Sequence, residues 1–152
     1  MAAALAILAR DRGEIEVAFQ HLIQPMIDDR TGHGRENHPF TGEFVWSGRH
    51  NAFGWSALLG PLGGRTNAPE YAAPARAQDL AKLPHTYIAV GALDLFLEED
   101  LEYARRLTRA GVAVELHVYP GAYHGFDLLI NTAIARRARR DSVEALRAAL
   151  QN

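Results

Sequence analysis

The sequence predicts an α/β fold in which parallel β-strands carry helices on both faces. Three observations predict it. Helical and extended segments alternate in the order helix, strand, long connection, strand, helix, strand, helix. The strand candidates at 15–25 and 86–90 are largely apolar runs, as suits strands covered on both sides. Polar residues suited to chemistry stand just beyond the ends of two successive strands, where open parallel sheets bind ligands.

The first helix is read from Ala2 to Arg10 and is apolar on nearly every side until Asp11, so burial between other elements is expected. Gly13 follows Arg10-Asp11-Arg12 as a stop signal. Residues 15–25, from Ile15 to Pro25, begin with alternation and become mostly apolar, which predicts a buried strand. From Met26 to Pro84 periodicity is poor and turn residues are frequent. Within this connection of about residues 26–84 one helix is expected, Gly48 to Leu59, with Ser47 as N-cap and Gly60 as the stop. So long an irregular connection is unusual in a compact fold, and such segments are often functional.

Thr86 to Val90 is a short β-rich strand. Glu98 to Ala110 follows as a helix with Leu101, Ala104 and Leu107 on one face. Glu98, Glu99 and Asp100 open it and Arg105, Arg106 and Arg109 close it, the charge order that the helix dipole favours. Val112 to Tyr119 is the next strand, and Thr132 to Leu150 the last helix.

Composition excludes several classes. A chain of 152 residues suffices for one modest domain with its own core. No run approaches the roughly 18 apolar residues of a membrane span. A net charge of −2 gives no footing for nucleic acid. Cysteine is absent, which removes disulfides and thiolate metal sites. The apolar start lacks the basic region of a secretory signal, so a cytoplasmic location is expected. His21, His33, His38, His50, His85 and His117 show no metal-ligand spacing, and no metal is expected. Arg136, Arg137, Arg139 and Arg140 read as the solvated face of the last helix.

The chemistry-bearing residues are Asp94, after the strand 86–90, and His124, after the strand 112–119. An acid and a histidine beyond neighbouring strands can meet above the sheet edge. The carboxylate then holds the imidazole tautomer and leaves the other ring nitrogen to accept a proton. Position alone leaves a second reading open, in which Asp94 caps the next helix and His124 is a turn residue.

The surrounding segments tip the balance. Gly91-Ala92-Leu93-Asp94-Leu95-Phe96, with Glu98-Glu99-Asp100 and Tyr103-Ala104-Arg105-Arg106-Leu107 after it, is similar to the acid-bearing segment of the hormone-sensitive-lipase-type esterases. Glu115 through Phe126, including Tyr119-Pro120-Gly121-Ala122-Tyr123-His124-Gly125, resembles their histidine segment. Gln24-Pro25-Met26-Ile27-Asp28-Asp29-Arg30, Trp46 through Gly60, and Tyr71 through Arg76 resemble the same family in the same order. The resemblance implies the C-terminal part of an α/β-hydrolase, spanning residues 1–152 as a single partial domain. It implies Asp94 as triad acid, His124 as general base, and small carboxylic esters of fairly short acyl chain as substrates. No metal or organic cofactor is implied.

The sequence departs from the family in two places. It contains neither a G-x-S-x-G elbow nor a His-Gly-Gly segment. The helix from Ala2 resembles the one that follows the elbow, so the sequence is expected to begin just past the nucleophile. Gly54-Trp55-Ser56-Ala57-Leu58 is one glycine short of the elbow and sits in a helical pattern, so Ser56 reads as a packing or capping residue. Ser47 reads as a cap and Ser142 lies mid-helix. Pro61-Leu62-Gly63-Gly64 reads as a turn rather than an oxyanion loop. Phe40, Phe44, Trp46, Phe53 and Trp55 offer either a pocket wall or ordinary packing. The strand 15–25 is expected to present an apolar edge, which a missing N-terminal half or a homo-oligomer would cover. A binding or oligomerisation module derived from the hydrolase fold remains the alternative function.

Overall fold

The computed structural model describes the chain over residues 1–32, 38–60 and 68–151. His33 and the turn expected at 61–64 lie outside the described residues. Three parallel strands, β1 (Phe19–Ile23), β2 (His85–Gly91) and β3 (Val114–Tyr119), form a sheet in the order β1-β2-β3. Phe19 is in register with His85, and Thr86 with Val114. β1 and β3 start later than the sequence pattern predicts, β1 omitting the alternating stretch 15–18 and ending at Ile23, whereas β2 runs one residue further at each end.

Side chains alternate across the pleat, so each face of the sheet acquires its own core. On one face Leu22 and Ile88 pack with Ala3, Ala6 and Ile7 of α1 (Ala2–Arg12) and Tyr103, Ala104 and Leu107. These last three belong to α3 (Leu97–Arg109). On the other face Tyr87, Ala89 and Tyr119 pack with Phe126 and with Ala138 and Ala145. The two alanines lie on α4 (Ala133–Gln151), whose small residues let it approach the sheet closely. Helices therefore cover both faces, as the alternation predicts. Ser142 Oγ lies 3.0 Å from His21 Nε2, and Tyr119 donates to Asp141 at 3.0 Å, joining α4 to β1 and β3. Arg136, Arg137, Arg139 and Arg140 are exposed, matching a solvated face.

Two expectations need correction. Burial of α1 is one-sided: Ala3 and Ile7 are buried, whereas Leu5 is 63% exposed. Within the described residues α1 packs chiefly on β1 and on the 3-10 turn Pro74–Arg76, and its far side meets neither. Of the α3 face expected from apolarity, Ala104 and Leu107 are buried and Leu101 is not. Asp100, Tyr103, Ala104 and Leu107 face inward, and Leu101 is 40% exposed. Their spacing of three and four defines one helix face, and Leu101 lies off it.

The connection 26–84 contains α2 (Gly48–Leu59), bounded by Ser47 and Gly60 as the sequence predicts. Ser47 donates its backbone N–H to His50 Nδ1, which helps satisfy the helix start. Trp55, Ala68 and Ala73 form a small core of their own, with Met26 and Leu59 against it. Arg76 grips Asp29 through Nε and Nη2 at 2.6 and 3.0 Å, so the two ends of the connection are tied together. Among the described residues no helix is long and apolar enough to cross a membrane.

Candidate active site

The carboxyl ends of β2 and β3 are held together by backbone bonds before any side chain contributes. Ala92 donates to Tyr119 O at 2.9 Å and Leu93 to Ala122 O at 2.8 Å. This lacing sets the loop after β2 against the loop after β3. Asp94 sits in the first loop and His124 in the second, and His124 Nδ1 lies 2.9 Å from Asp94 Oδ2. The carboxylate's other oxygen accepts the Phe96 N–H at 3.1 Å. Asp94 therefore both orders the entry to α3 and meets the histidine, so the two readings of this residue are compatible.

Asp94 is fully buried, whereas the His124 side chain keeps 23% of its surface. A buried carboxylate with both oxygens engaged can only accept, so the ring proton faces it on Nδ1 and the Nε2 lone pair is left for proton exchange. Phe96 meets the imidazole edge to face, with centroids 5.3 Å apart, and Trp46 lies 5.6 Å away on a tilted ring. Rings packed on two sides restrict rotation of the imidazole about its own bonds.

The aromatic set of the long connection divides. Trp46 packs on His124, and Phe44 on Tyr123 at 5.6 Å. Trp55 is buried in the local core, and Phe40 and Phe53 are exposed. Among the serines, Ser56 is exposed in mid-α2, contrary to a packing role. Ser47 sits at the α2 N-cap, and Ser142 meets His21. Among the described residues no hydroxyl bonds to His124.

Behind Asp94, Glu98 is exposed at the start of α3 but the two acids after it are withdrawn from solvent, which charge order alone does not indicate. Glu99 and Asp100 are buried. Glu99 Oε1 accepts the N–H groups of Ile27 at 2.7 Å and Asp28 at 3.2 Å, pinning the chain after β1 to α3. Burial raises the Glu99 carboxyl to about 8, against the opposing pull of those donors. Asp100 is pushed well up by burial and by the charges of Glu99 and Asp94. Keeping both protonated avoids further negative charge beside Asp94. Sequence alone could not find this, because nothing in Glu98-Glu99-Asp100 says which two point inward.

A prediction follows for Glu99. Its folded pKa lies above its unfolded value, so the native state holds the proton more tightly. Its contribution to stability is complete below about pH 4.5 and is lost as pH rises through about 8. Glu99→Gln keeps the acceptor for Ile27 and Asp28 without the ionisation. Urea unfolding should show the variant gaining on the parent between pH 6 and 9 and not at pH 4. Parallel pH curves would contradict the assignment.

Comparison with known proteins agrees with this architecture. The profile of the alpha/beta hydrolase fold family matches residues 1–128. Esterase LipI of Mycobacterium tuberculosis is 42% identical over 60 residues, which cover 40% of this chain and 19% of that protein. A bacterial heroin esterase superposes with a TM-score of 0.92 at 37% identity, covering 99% of this chain and 48% of that one. Esterase LipW from Mycobacterium marinum superposes with a TM-score of 0.81 at 35% identity, covering 99% and 46%. The chain thus spans about half the length of these solved structures and matches about a fifth of LipI. With two parallel strand ends delivering an acid and a histidine, and a family profile matching most of its length, the chain belongs to the alpha/beta hydrolase fold family.

Proposed function

We propose that this chain supplies the acid and the base of a serine-type carboxylic ester hydrolase, with a serine from another segment of the fold as nucleophile. The observation that carries the reading is the 2.9 Å contact between His124 Nδ1 and Asp94 Oδ2 at the carboxyl edge of adjacent parallel strands. Asp94 fixes the imidazole tautomer and stabilises the imidazolium. His124 Nε2 takes the serine proton during attack on the ester carbonyl and returns it to the leaving alcohol. Phe96 and Trp46 keep the ring on this path. Small esters of short acyl chain are the proposed substrates, and the esterases among its structural neighbours support the ester part of that reading.

A second reading is favoured by the open side of the sheet. β1 pairs with β2 alone among the described residues, Ile23 is 38% exposed, and Leu5 projects from α1. These features suit a module that associates through this face without catalysis.

The test joins the chain behind the amino-terminal half of the bacterial heroin esterase and follows hydrolysis of a short-chain nitrophenyl ester. Activity that vanishes in His124→Ala is expected. A folded chimera whose hydrolysis is unaffected by that change would sink the catalytic reading. The chain alone should hydrolyse the ester no faster than its own His124→Ala variant, because loss of a triad member leaves only weak catalysis.

A further inference from the structure

The turn that presents His124 is tied to its own strand, where Ala122 donates to Tyr119 O, and to the loop after β2. It is also held from the opposite edge of the sheet by Gln24, the residue that follows β1. Gln24 is buried, at 7% exposure, and its side-chain amide makes two bonds to the turn. Nε2 donates to Asp127 Oδ1 at 2.8 Å, and Oε1 accepts the N–H of Gly125, the residue next to His124. The amide's orientation is dictated by its partners, since a carboxylate only accepts and a backbone N–H only donates. Reversing it would break both bonds at once.

The backbone pays attention to the same task. Gln24 adopts φ 46, in the left-handed region that residues other than glycine seldom occupy. Its own N–H still reaches Ala89 O at 2.7 Å, so it stays anchored to β2 while the chain turns. On the other side of the clamp Gly125 has φ 76, the left-handed conformation open to glycine. A strained residue on one element and a permissive one on the other meet at a single hydrogen bond. Nothing local to either segment calls for this, and the partners are 101 and 103 residues apart.

We propose that Gln24 is a positioning residue for His124, clamping Gly125 and Asp127 so that the imidazole stays seated on Asp94. The inference rests on the reading of Asp94 and His124 as a working pair, and it deepens that reading by naming what holds the base in place. Gln24 touches no reacting atom and acts through the turn.

The tautomer of His124 is the readout, because a residue that only stabilised the fold would not change it in a folded protein. In the ¹⁵N-labelled chain, ring nitrogen shifts and the Nδ1 proton resonance report whether Nδ1 carries the proton and is bonded, with His124→Ala giving the assignment. The parent is expected to show a predominant, slowly exchanging Nδ1–H form. Gln24→Ala is expected to lose that resonance and turn to mixed tautomers while remaining cooperatively folded in urea. Gln24→Glu combined with Asp127→Asn exchanges donor and acceptor across the clamp, keeps the acceptor for Gly125, and should restore the parent signature.

A folded Gln24→Ala with the parent's signature would overturn the proposal. If Gln24→Ala fails to fold, Asp127→Ala removes the outer half of the clamp from a half-buried site and decides the question by the same two results. Absence of the Nδ1–H signature from the parent itself would instead remove the Asp94–His124 reading, and this inference with it.

Discussion

Replacing Arg76 by methionine is expected to destabilise the chain by about 3–5 kcal/mol, the usual cost of leaving a buried charge without its partner. Asp29 is fully buried, and the guanidinium of Arg76 grips both of its oxygens. Methionine preserves much of the apolar length of the side chain and removes the fork, so the loss reports the charge rather than a cavity. The pair joins the segment just after β1 to the 3-10 turn Pro74–Arg76, bridging 47 residues. The long connection should therefore loosen as a unit. Urea unfolding of Arg76→Met gives the magnitude. Adding Asp29→Asn should recover part of the loss, because a neutral amide has less to regain from water than a carboxylate. A single-variant cost below about 1 kcal/mol would place the pair among the weak surface bridges instead.

The second large effect is expected at Gly91, the last residue of β2. A Cβ at this position would lie 2.3 Å from the carbonyl oxygen of Ala122 and 2.7 Å from its carbon. Those atoms are backbone, and that oxygen already accepts the Leu93 N–H. The methyl of Gly91→Ala cannot be absorbed by a rotamer change. It must drive apart the loops that carry Asp94 and His124, at the upper end of the about 1–3 kcal/mol that overpacking costs. Thermal melting should show the destabilisation, and the His124 Nδ1–H signature should weaken in the same variant. A Gly91→Ala chain with parental stability would mean that the two loops are far less tightly laced than the hydrogen bonds of Ala92 and Leu93 indicate.

The meeting of Asp94 and His124 is legible in sequence because it follows from topology. Asp94 and His124 stand beyond the ends of strands that pair side by side, and parallel pairing brings such ends to one edge. The residues that hold the pair are not legible in the same way. Trp46 and Phe96 are apolar rings among several, and which of them reaches His124 depends on how the connection 26–84 folds back. Gln24 lies in a recognisable segment, but its role comes from Gly125 and Asp127, which a local reading does not bring near it.

By itself the sequence determined the order of elements, the bounds of α2 between Ser47 and Gly60, the stop of α1 at Gly13 and the strand ends that bear Asp94 and His124. Capping, glycine conformation and hydrophobic periodicity act within a few residues, so the chain carries them in plain view. Only the tertiary structure decided that Asp100 rather than Leu101 faces inward, that Glu99 holds Ile27 and Asp28, that α1 buries one side, and that Gln24 clamps the histidine turn. Each of these depends on what a side chain meets across the fold. The partners lie outside the segment itself, some 70 to 100 positions away for Glu99 and Gln24, and no pattern confined to one segment encodes them.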